Sequence, residues 1–379
     1  MPTPHSSARG CLLGGAIGDA LGAEIEFRSL AGIRSRFGPL GLRDLVPAYG
    51  RLGAITDDTQ MTLFTAEGLI RAAVRLKSRG VCHPPAVVHH AYLRWLHTQG
   101  VPWQQAAGYR FDEDAPRPDG WLVGERFLHS RRAPGNTCLA ALSRPLPDSL
   151  VAANNSKGCG GVMRMAPAGL IRFYDAAGEK SPTQMAFRLG AECAAVTHGH
   201  PSGALPAAVL AMTIFGIVHE GQSLDRALEA ARNELAMRDE NDETFDALDA
   251  ATQLAAKGDP TPEKLETLGG GWVAEEALAI AVYAALSHPT DLREALLLAV
   301  NHTGDSDSTG AICGNLLGAD LGEEALPAEW LAELEGREVI RQLADDLVAE
   351  DQGTRPSEDE EESDGHPGFA AWWERYPGW

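Results

Sequence analysis

Two short acidic clusters, far apart in the chain, carry residue types that can bind a metal ion. The segments TDDT and GDSDST supply four aspartates and two neighbouring hydroxyl groups: Thr56, Asp57, Asp58, Asp305, Asp307 and Ser308. Hard divalent cations such as Mg²⁺ prefer oxygen ligands of this kind. No histidine or cysteine is interleaved at zinc spacing, which argues against Zn²⁺. The clusters therefore predict one shared metal site in a metal-dependent hydrolase.

An aspartate just before a helix is most often a cap that accepts backbone N–H bonds. Capping alone is a weaker explanation for two clusters, because adjacent carboxylates repel and are costly to bury without a counter-ion. Four aspartates and one glutamate carry about five negative charges, which two divalent cations nearly balance. The pattern favours a two-metal centre. An EF-hand is excluded, because the twelfth position counted from Asp305 is Leu316 instead of glutamate.

Three further polar segments can contact the rest of a ligand. The glycines of NNSKGCGG at Asn154–Gly161 allow backbone N–H groups to turn toward an anion, with charge from Lys157 and Arg164, although a structural turn explains them equally well. His198 is either a satisfied polar group or a ligand contact. Trp272 follows three glycines and forms either a stacking wall for a purine ring or part of the core.

The elements that must position these residues are predicted to be helices almost throughout. Apolar residues recur at helical spacing, as in Ile340, Leu343 and Leu347, and alternating β-branched runs are nearly absent. Two glycine stripes with four-residue spacing cover residues 10–22 and 310–318. Because a glycine inside a helix costs about 1 kcal/mol relative to alanine, we expect close backbone approach between central helices. The predicted fold class is all-α.

The composition of the chain limits the classes of function that it fits. A hydrophobic fraction of 44% in 379 residues is enough for a large core, and a net charge of -21 disfavours general binding to nucleic acids or anionic lipids. Six scattered cysteines without a CxxC motif indicate reduced thiols. The N-terminus does not resemble a signal peptide, and no stretch is expected to span a membrane. We expect a cytoplasmic protein with no nucleic-acid or membrane partner.

No linker divides residues 7–350, so we predict one domain there. Residues 351–379 form a different kind of segment, with the charge run SEDEEESD and the aromatic ending FAAWWERYPGW. The charge run is typical of solvated chain. The aromatic ending either docks back on the domain or offers a site to a partner.

Six segments resemble, in order, the ADP-ribosylglycohydrolase family, which includes the dinitrogenase reductase-activating glycohydrolases. They are GCLLGGAIGDALGAEIEF, ITDDTQMTLFTAEGL, NNSKGCGGVMRMAP, THGHPSG, GGGWVAEEAL and NHTGDSDSTGAICGNLLGA. The resemblance covers the predicted domain and leaves the C-terminal tail unmatched. It implies a compact, orthogonal all-α bundle with a binuclear Mg²⁺ or Mn²⁺ centre. It also implies an enzyme that removes ADP-ribose from modified protein side chains.

The resemblance further implies roles for individual residues. The implied metal ligands are Thr56, Asp57, Asp58, Asp305, Asp307 and Ser308. Glu26 matches an acidic residue that coordinates metal or gates the substrate, and we expect catalysis to depend on Glu26, Asp58 and Asp305. The residues expected to bind substrate are Asn155, Ser156, Lys157, Gly158, Gly160, His198 and Trp272. Lys157 is a departure, because some relatives carry an aromatic residue there.

The motif HGHP and the serine in GDSDST resemble those of arginine-type hydrolases more than those of serine-type hydrolases. The resemblance therefore implies hydrolysis of the N-glycosidic bond of ADP-ribosyl-arginine. ADP-ribosylated protein and ADP-ribose are the expected substrate and product, and a cognate ADP-ribosyltransferase is a further expected partner. Two alternatives remain: a non-catalytic ADP-ribose-binding or toxin-neutralising protein of the same fold, and a metal-dependent phosphoesterase with an unrelated substrate.

Overall fold

The computed structural model describes residues 2–114, 116–175, 178–356 and 368–378, which form α-helices joined by loops and short 3-10 turns. The helices are α1 Pro4–Gly22, α2 Leu30–Phe37, α3 Asp57–Arg79, α4 Pro84–Thr98, α5 Trp103–Ala107, α6 Asn136–Leu142, α7 Pro182–Ala195, α8 Pro201–Glu220, α9 Leu224–Leu235, α10 Asp242–Ala256, α11 Pro262–Leu265, α12 Ala274–Ser287, α13 Leu292–Val300, α14 Ser306–Leu321, α15 Ala328–Glu333, α16 Arg337–Gln352 and α17 Phe369–Arg375. These residues contain no strand, only isolated bridges. The predicted all-α fold is confirmed.

Helices α1 and α14 pack against each other along their glycine stripes. The facing pairs are Gly10 with Gly318, Gly14 with Gly314, and Gly18 with Gly310. A Cβ atom at Gly14 would lie 2.6 Å from the backbone oxygen of Gly314, so only glycine permits this approach. The pairs run in antiparallel order, and the end of α1 therefore lies beside the start of α14. This crossing brings together residues almost 300 positions apart in sequence.

One helix among the described residues, α8, is long and apolar enough to cross a membrane by length and composition, contrary to the expectation from sequence. Its 18-residue window has a mean hydropathy of 1.7, and 83% of that window is buried inside the protein. A helix in the core of a folded domain can have the same length and apolar composition. Thr213, one of the few polar residues of α8, is itself buried.

The described part of the aromatic C-terminal segment packs against the domain. Of the two alternatives, docking on the domain or offering a site to a partner, the structure shows the first. Trp372 on α17 is buried, and the hydroxyl of Tyr376 donates to Asp346 on α16 at 2.6 Å. The backbone oxygen of Pro377 accepts from Nε of Arg71 on α3 at 3.3 Å. The charge run at residues 357–364 and the terminal Trp379 lie outside the described residues. The boundary between residues 350 and 351 stays a prediction.

Candidate metal centre and active site

Three carboxylates from opposite ends of the chain meet where α1 ends and α14 begins. Glu26, Asp305 and Asp307 are buried, and each offers an oxygen within 4.8 Å of those of the other two. Glu26 lies in the turn that follows α1, and Asp305 is the N-cap of α14. The backbone N–H of Ser308 donates to Asp305 at 3.3 Å and to Asp307 at 3.0 Å. The start of α14 thus fixes both aspartates beside the glutamate.

These carboxylates face a cavity of about 470 Å³, which we call the metal-site cavity. Its lining includes all five predicted carboxylates and one predicted hydroxyl group: Glu26, Asp57, Asp58, Asp305, Asp307 and Ser308. Asp57 and Asp58 lie in the first turn of α3. Thr56 is fully buried, and its hydroxyl accepts the N–H of Asp58 at 3.3 Å. The structure therefore brings the two acidic clusters together, and their role as metal ligands stays a prediction.

A buried carboxylate that the sequence analysis missed holds the start of α3 in place. Asp19 on α1 accepts the backbone N–H groups of Thr56 at 3.0 Å and of Thr59 at 3.1 Å. The hydroxyl of Thr59 also donates to Asp19. Burial raises the pKa of Asp19 to about 6, while these hydrogen bonds act in the opposite direction. Asp19 therefore links the glycine-striped helix to the TDDT segment.

One rim of the metal-site cavity is the segment 130–135, which the sequence analysis also missed. The side chain of Gln60 donates to the backbone oxygen of Ser130 at 2.9 Å. The N–H of Asp57 donates to the backbone oxygen of Arg132, and a carboxylate oxygen of Asp57 accepts from the N–H of Gly135, both at 3.3 Å. The rim is thus attached to the first turn of α3. Nothing in its sequence, SRRAPG, marks it as part of a site.

Burial and mutual repulsion disfavour negative charge in this cluster when no cation is present. Burial, followed by the charges of Asp305 and Asp57, raises the pKa of Glu26 to about 9. Burial likewise raises the pKa values of Asp57, Asp58 and Asp307 well above their usual range. Oε2 of Glu26 and Oδ2 of Asp58 are buried without a hydrogen-bond partner in the described part of the chain. A hard divalent cation would neutralise these oxygens, so the residues fit such an ion.

A thiol lies among the oxygen groups of the metal-site cavity. The Sγ–H of Cys159 donates to Oδ2 of Asp305 at 2.8 Å, and burial raises the pKa of this thiol well above its usual range. Cys159 is therefore a neutral donor that helps to orient Asp305. It lies inside the NNSKGCGG loop, where the sequence analysis considered only the neighbouring residues.

Two predicted substrate-binding residues line the metal-site cavity, and a third lines its neighbour. Gly160 and Trp272 border the metal-site cavity. The Trp272 ring is 45% exposed and stacks on Phe27, with ring centroids 5.7 Å apart, so it is not a core residue. Ser156 lines an adjoining cavity of about 330 Å³, which shares Asn136 with the first. The two cavities therefore lie side by side at Asn136.

The rest of the predicted substrate loop lies outside the lining of the metal-site cavity. Asn155 is exposed, and Lys157 forms an ion pair with Glu243 on α10. The backbone of the loop bridges to the segment after Trp272, because Gly158 pairs with Val273. This pairing holds the loop beside the start of α12 and supports Cys159 and Gly160 at the cavity wall.

His198 and Arg164 lie beneath the loop. His198 is 1% exposed, and its Nδ1 lies 2.8 Å from the hydroxyl of Thr197. Burial lowers the pKa of His198 to about 3, so the ring is neutral. Arg164, expected from sequence as a charge beside the loop, is fully buried and donates to Tyr92 and Thr197 at 2.9 and 2.6 Å. Both side chains therefore support the loop from inside the fold.

Comparison with known proteins agrees with this architecture. Residues 1–357 match the model of the ADP-ribosylglycohydrolase family. The chain is 25% identical to the ADP-ribosyl-dinitrogen reductase glycohydrolase of Rhodospirillum rubrum, over 92% of this chain and 97% of that protein. It is also 25% identical to the ADP-ribosylarginine hydrolase Tri1 of Serratia proteamaculans, over 90% of this chain and 78% of that protein.

A solved structure described as an ADP-ribosylglycohydrolase-related protein complex has the same fold. It superposes with a TM-score of 0.58 at 25% identity, over 93% of this chain and 100% of that one. The fold type and the resemblance expected from sequence are both confirmed. Because the family model spans nearly the whole sequence, the chain belongs to the ADP-ribosylglycohydrolase family.

Proposed function

We propose that this protein hydrolyses the N-glycosidic bond between ADP-ribose and an arginine side chain of a modified protein, with the help of two Mg²⁺ or Mn²⁺ ions. The observation that carries the proposal is the single cavity in which carboxylates from residues 26, 57–58 and 305–307 converge. Similarity to proteins named for hydrolysis of ADP-ribosyl-arginine and of ADP-ribosyl-dinitrogen reductase supports the choice of substrate.

The cations would be held by oxygen atoms of the two acidic clusters and of the turn after α1. These ligands are Glu26, Thr56, Asp57, Asp58, Asp305, Asp307 and Ser308. Bound divalent ions supply positive charge that orients ribose hydroxyls and lowers the pKa of water. Oε2 of Glu26 and Oδ2 of Asp58, which have no hydrogen-bond partner among the residues that the structure describes, support a site built for ions.

The protein's own residues supply the rest of the chemistry. Glu26 is placed to accept a proton from the attacking water, through the carboxylate oxygen that does not hold a cation, because its side chain faces the cavity. Asp58 and Asp305 lie across the same cavity and stabilise the oxocarbenium character that the ribose gains as the bond breaks. The loop at Gly160 and the exposed face of Trp272 hold the diphosphate and the adenosine.

Release of ADP-ribose from ADP-ribosyl-arginine by the purified protein tests the proposal. We expect release in Mg²⁺ or Mn²⁺, loss of activity after treatment with EDTA, and recovery when the ion is restored. Asp305→Ala and Asp307→Ala should lose activity and keep the helical circular-dichroism spectrum. Full activity of the EDTA-stripped protein, or faster cleavage of a generic phosphodiester, would contradict the proposal. Bound ADP-ribose without turnover would favour the non-catalytic alternative.

A further inference from the structure

A third cavity opens beside the metal-site cavity and shares Arg131 with it. Its volume is about 360 Å³, and it is lined by residues 97–102, His129 and Arg131. We call it the Arg131 groove. None of these lining residues is acidic, although the whole chain has 53 acidic and only 32 basic residues. The groove therefore differs in charge from the carboxylate cavity that it adjoins.

Arg131 occupies a fixed position and has no carboxylate partner among the described residues. The backbone is held on both sides of it, at Ser130 by Gln60 and at Arg132 by the N–H of Asp57. The two adjacent arginines differ, because Arg132 is buried and forms an ion pair with Glu335 whereas Arg131 is exposed. An exposed guanidinium on an anchored backbone, with no ion-pair partner in the described ranges, is available to a carboxylate from outside.

Two histidines also line the groove. Nδ1 of His97 lies 2.8 Å from the backbone oxygen of Val101, and Nε2 of His129 lies 2.7 Å from that of Val123. Because a carbonyl oxygen only accepts hydrogen bonds, both of these ring nitrogens carry hydrogen atoms.

The proposed substrate extends in two directions from the bond that is cleaved. One arm is the diphosphate with its adenosine, and the other is the polypeptide that carries the modified arginine. The cavity wall at Gly160 and Trp272, together with the adjoining cavity next to Ser156, suits the first arm. The Arg131 groove adjoins the metal-site cavity through Arg131 instead, and we assign it to the polypeptide.

We propose that the Arg131 groove binds an acidic side chain of the target protein close to the modified arginine. The enzyme would thereby prefer modification sites with acidic flanks. This inference rests on the proposed function and adds to that function a preferred class of target sequence. Glutamate and aspartate match the groove because a carboxylate can accept two parallel N–H bonds from one guanidinium group.

The test compares two ADP-ribosyl-arginine peptides that differ only in having glutamate or glutamine beside the arginine. For the wild-type protein we expect kcat/KM of ADP-ribose release to be about tenfold higher for the acidic peptide, mainly through KM. R131Q should bring this ratio close to one. R79Q makes the same charge change at the far end of α3, about 33 Å along the helix from Asp57, and should keep the wild-type ratio. Added salt should reduce the wild-type preference.

Binding of fluorescein-labelled, unmodified versions of the two peptides separates this inference from the proposed function. We expect the acidic peptide to bind the wild-type protein several-fold more tightly than the neutral one, and R131Q to lose the difference. If neither modified peptide is cleaved, the proposed function fails while this comparison still decides the role of the groove. Equal binding of both peptides by the wild-type protein would overturn the inference. So would an R131Q protein that loses affinity for free ADP-ribose as strongly as for the acidic peptide.

Discussion

The buried carboxylate of Asp19 helps to position Asp57 and Asp58, although Asp19 does not line the metal-site cavity. It accepts hydrogen bonds from two residues that flank Asp57 and Asp58, namely Thr56 and Thr59. Asp19→Ala leaves these buried donors unpaired, and we expect the free energy of unfolding to fall by about 3 kcal/mol. The affinity for Mg²⁺ should fall more than tenfold, because the first turn of α3 loses its anchor.

Urea unfolding and calorimetric titration with Mg²⁺ measure the two effects of Asp19→Ala. Asp19→Asn keeps one acceptor oxygen and serves as the matched control, with a smaller loss in both measurements. Wild-type affinity for Mg²⁺ in Asp19→Ala would show that α3 is positioned without this contact.

Repulsion within the acidic cluster leads to a prediction for Asp307. Burial, followed by the charges of Asp58 and Glu26, raises the pKa of Asp307. Asp307→Asn removes one of the repelling groups, so the cation-free variant should be more stable than the cation-free wild type at pH 8, by about 1 kcal/mol. It should also lose most of the stabilisation that Mg²⁺ gives. Thermal unfolding with EDTA and with Mg²⁺ gives both comparisons. Asp246→Asn, at an exposed position on α10, should change neither.

Acidic residues were predictable as site residues where they stand next to other acidic residues. Asp57 and Asp307 stand in clusters, and adjacent carboxylates need an explanation that a single one does not. Asp19 was missed because it is the single acidic residue in a mostly apolar, glycine-rich helix. Arg131 was missed because it is one of two adjacent arginines, which is an ordinary pattern. Their roles arise from hydrogen bonds and cavities that only the folded chain forms.

Among the helices, the crossing of α1 and α14 decides whether the two acidic clusters meet. Gly14→Ala places a Cβ atom 2.6 Å from the backbone oxygen of Gly314, so the helices must separate. We expect a loss of about 2–3 kcal/mol in the free energy of unfolding. The Mg²⁺ affinity should also fall, because α14 carries Asp305 and Asp307 away from Glu26.

Denaturant unfolding and Mg²⁺ titration test Gly14→Ala. The control is Gly32→Ala in α2, where the nearest atom to an added Cβ is Oγ of Ser29 at 3.3 Å. Helix propensity predicts a change of less than about 1 kcal/mol there, in the stabilising direction. If Gly14→Ala is as stable as the wild type, close approach is not the reason for the glycine stripe.

The helices were predictable and their partners were not. Apolar periodicity identified the all-α class, and the glycine stripes indicated close packing without saying which helices meet. The rim at residues 130–135 has no periodicity, because hydrogen bonds to α3 hold it instead of a regular element of its own. Long apolar α8 was misjudged because hydropathy does not distinguish a core helix from a membrane span.

For the molecule as a whole, the docked C-terminal segment extends the core beyond the catalytic domain predicted from sequence. Deleting residues 368–379 exposes the site of Trp372 and leaves Asp346 without the Tyr376 hydroxyl. We expect Tm to fall by about 5 °C. Mg²⁺ affinity should stay within about twofold, because the contact with Arg71 lies about 20 Å along α3 from Asp57. Trp372→Phe keeps an aromatic ring and should lose less. An unchanged Tm after deletion would mean that the segment adds nothing to stability.

The stability of the whole molecule should depend on pH and on divalent ions together. The pKa of Glu26 is about 9 in the fold, against an ordinary value of about 4.3 for the unfolded chain. Between these values the folded state binds more protons than the unfolded state, so the free energy of unfolding falls as pH rises. The raised pKa values of Asp57, Asp58 and Asp307 act in the same direction.

In EDTA, Tm should therefore fall between pH 5 and pH 9, and excess Mg²⁺ should flatten this dependence because the ion takes the place of the protons. Thermal scans at several pH values, with and without Mg²⁺, make the comparison. The increase in Tm on adding Mg²⁺ should be larger at pH 8 than at pH 5, where protons already neutralise Glu26. Other acidic groups contribute to the slope in EDTA, so Asp307→Asn provides the control and should show a shallower slope. An equal increase at both pH values would mean that Mg²⁺ binds somewhere other than this carboxylate cluster.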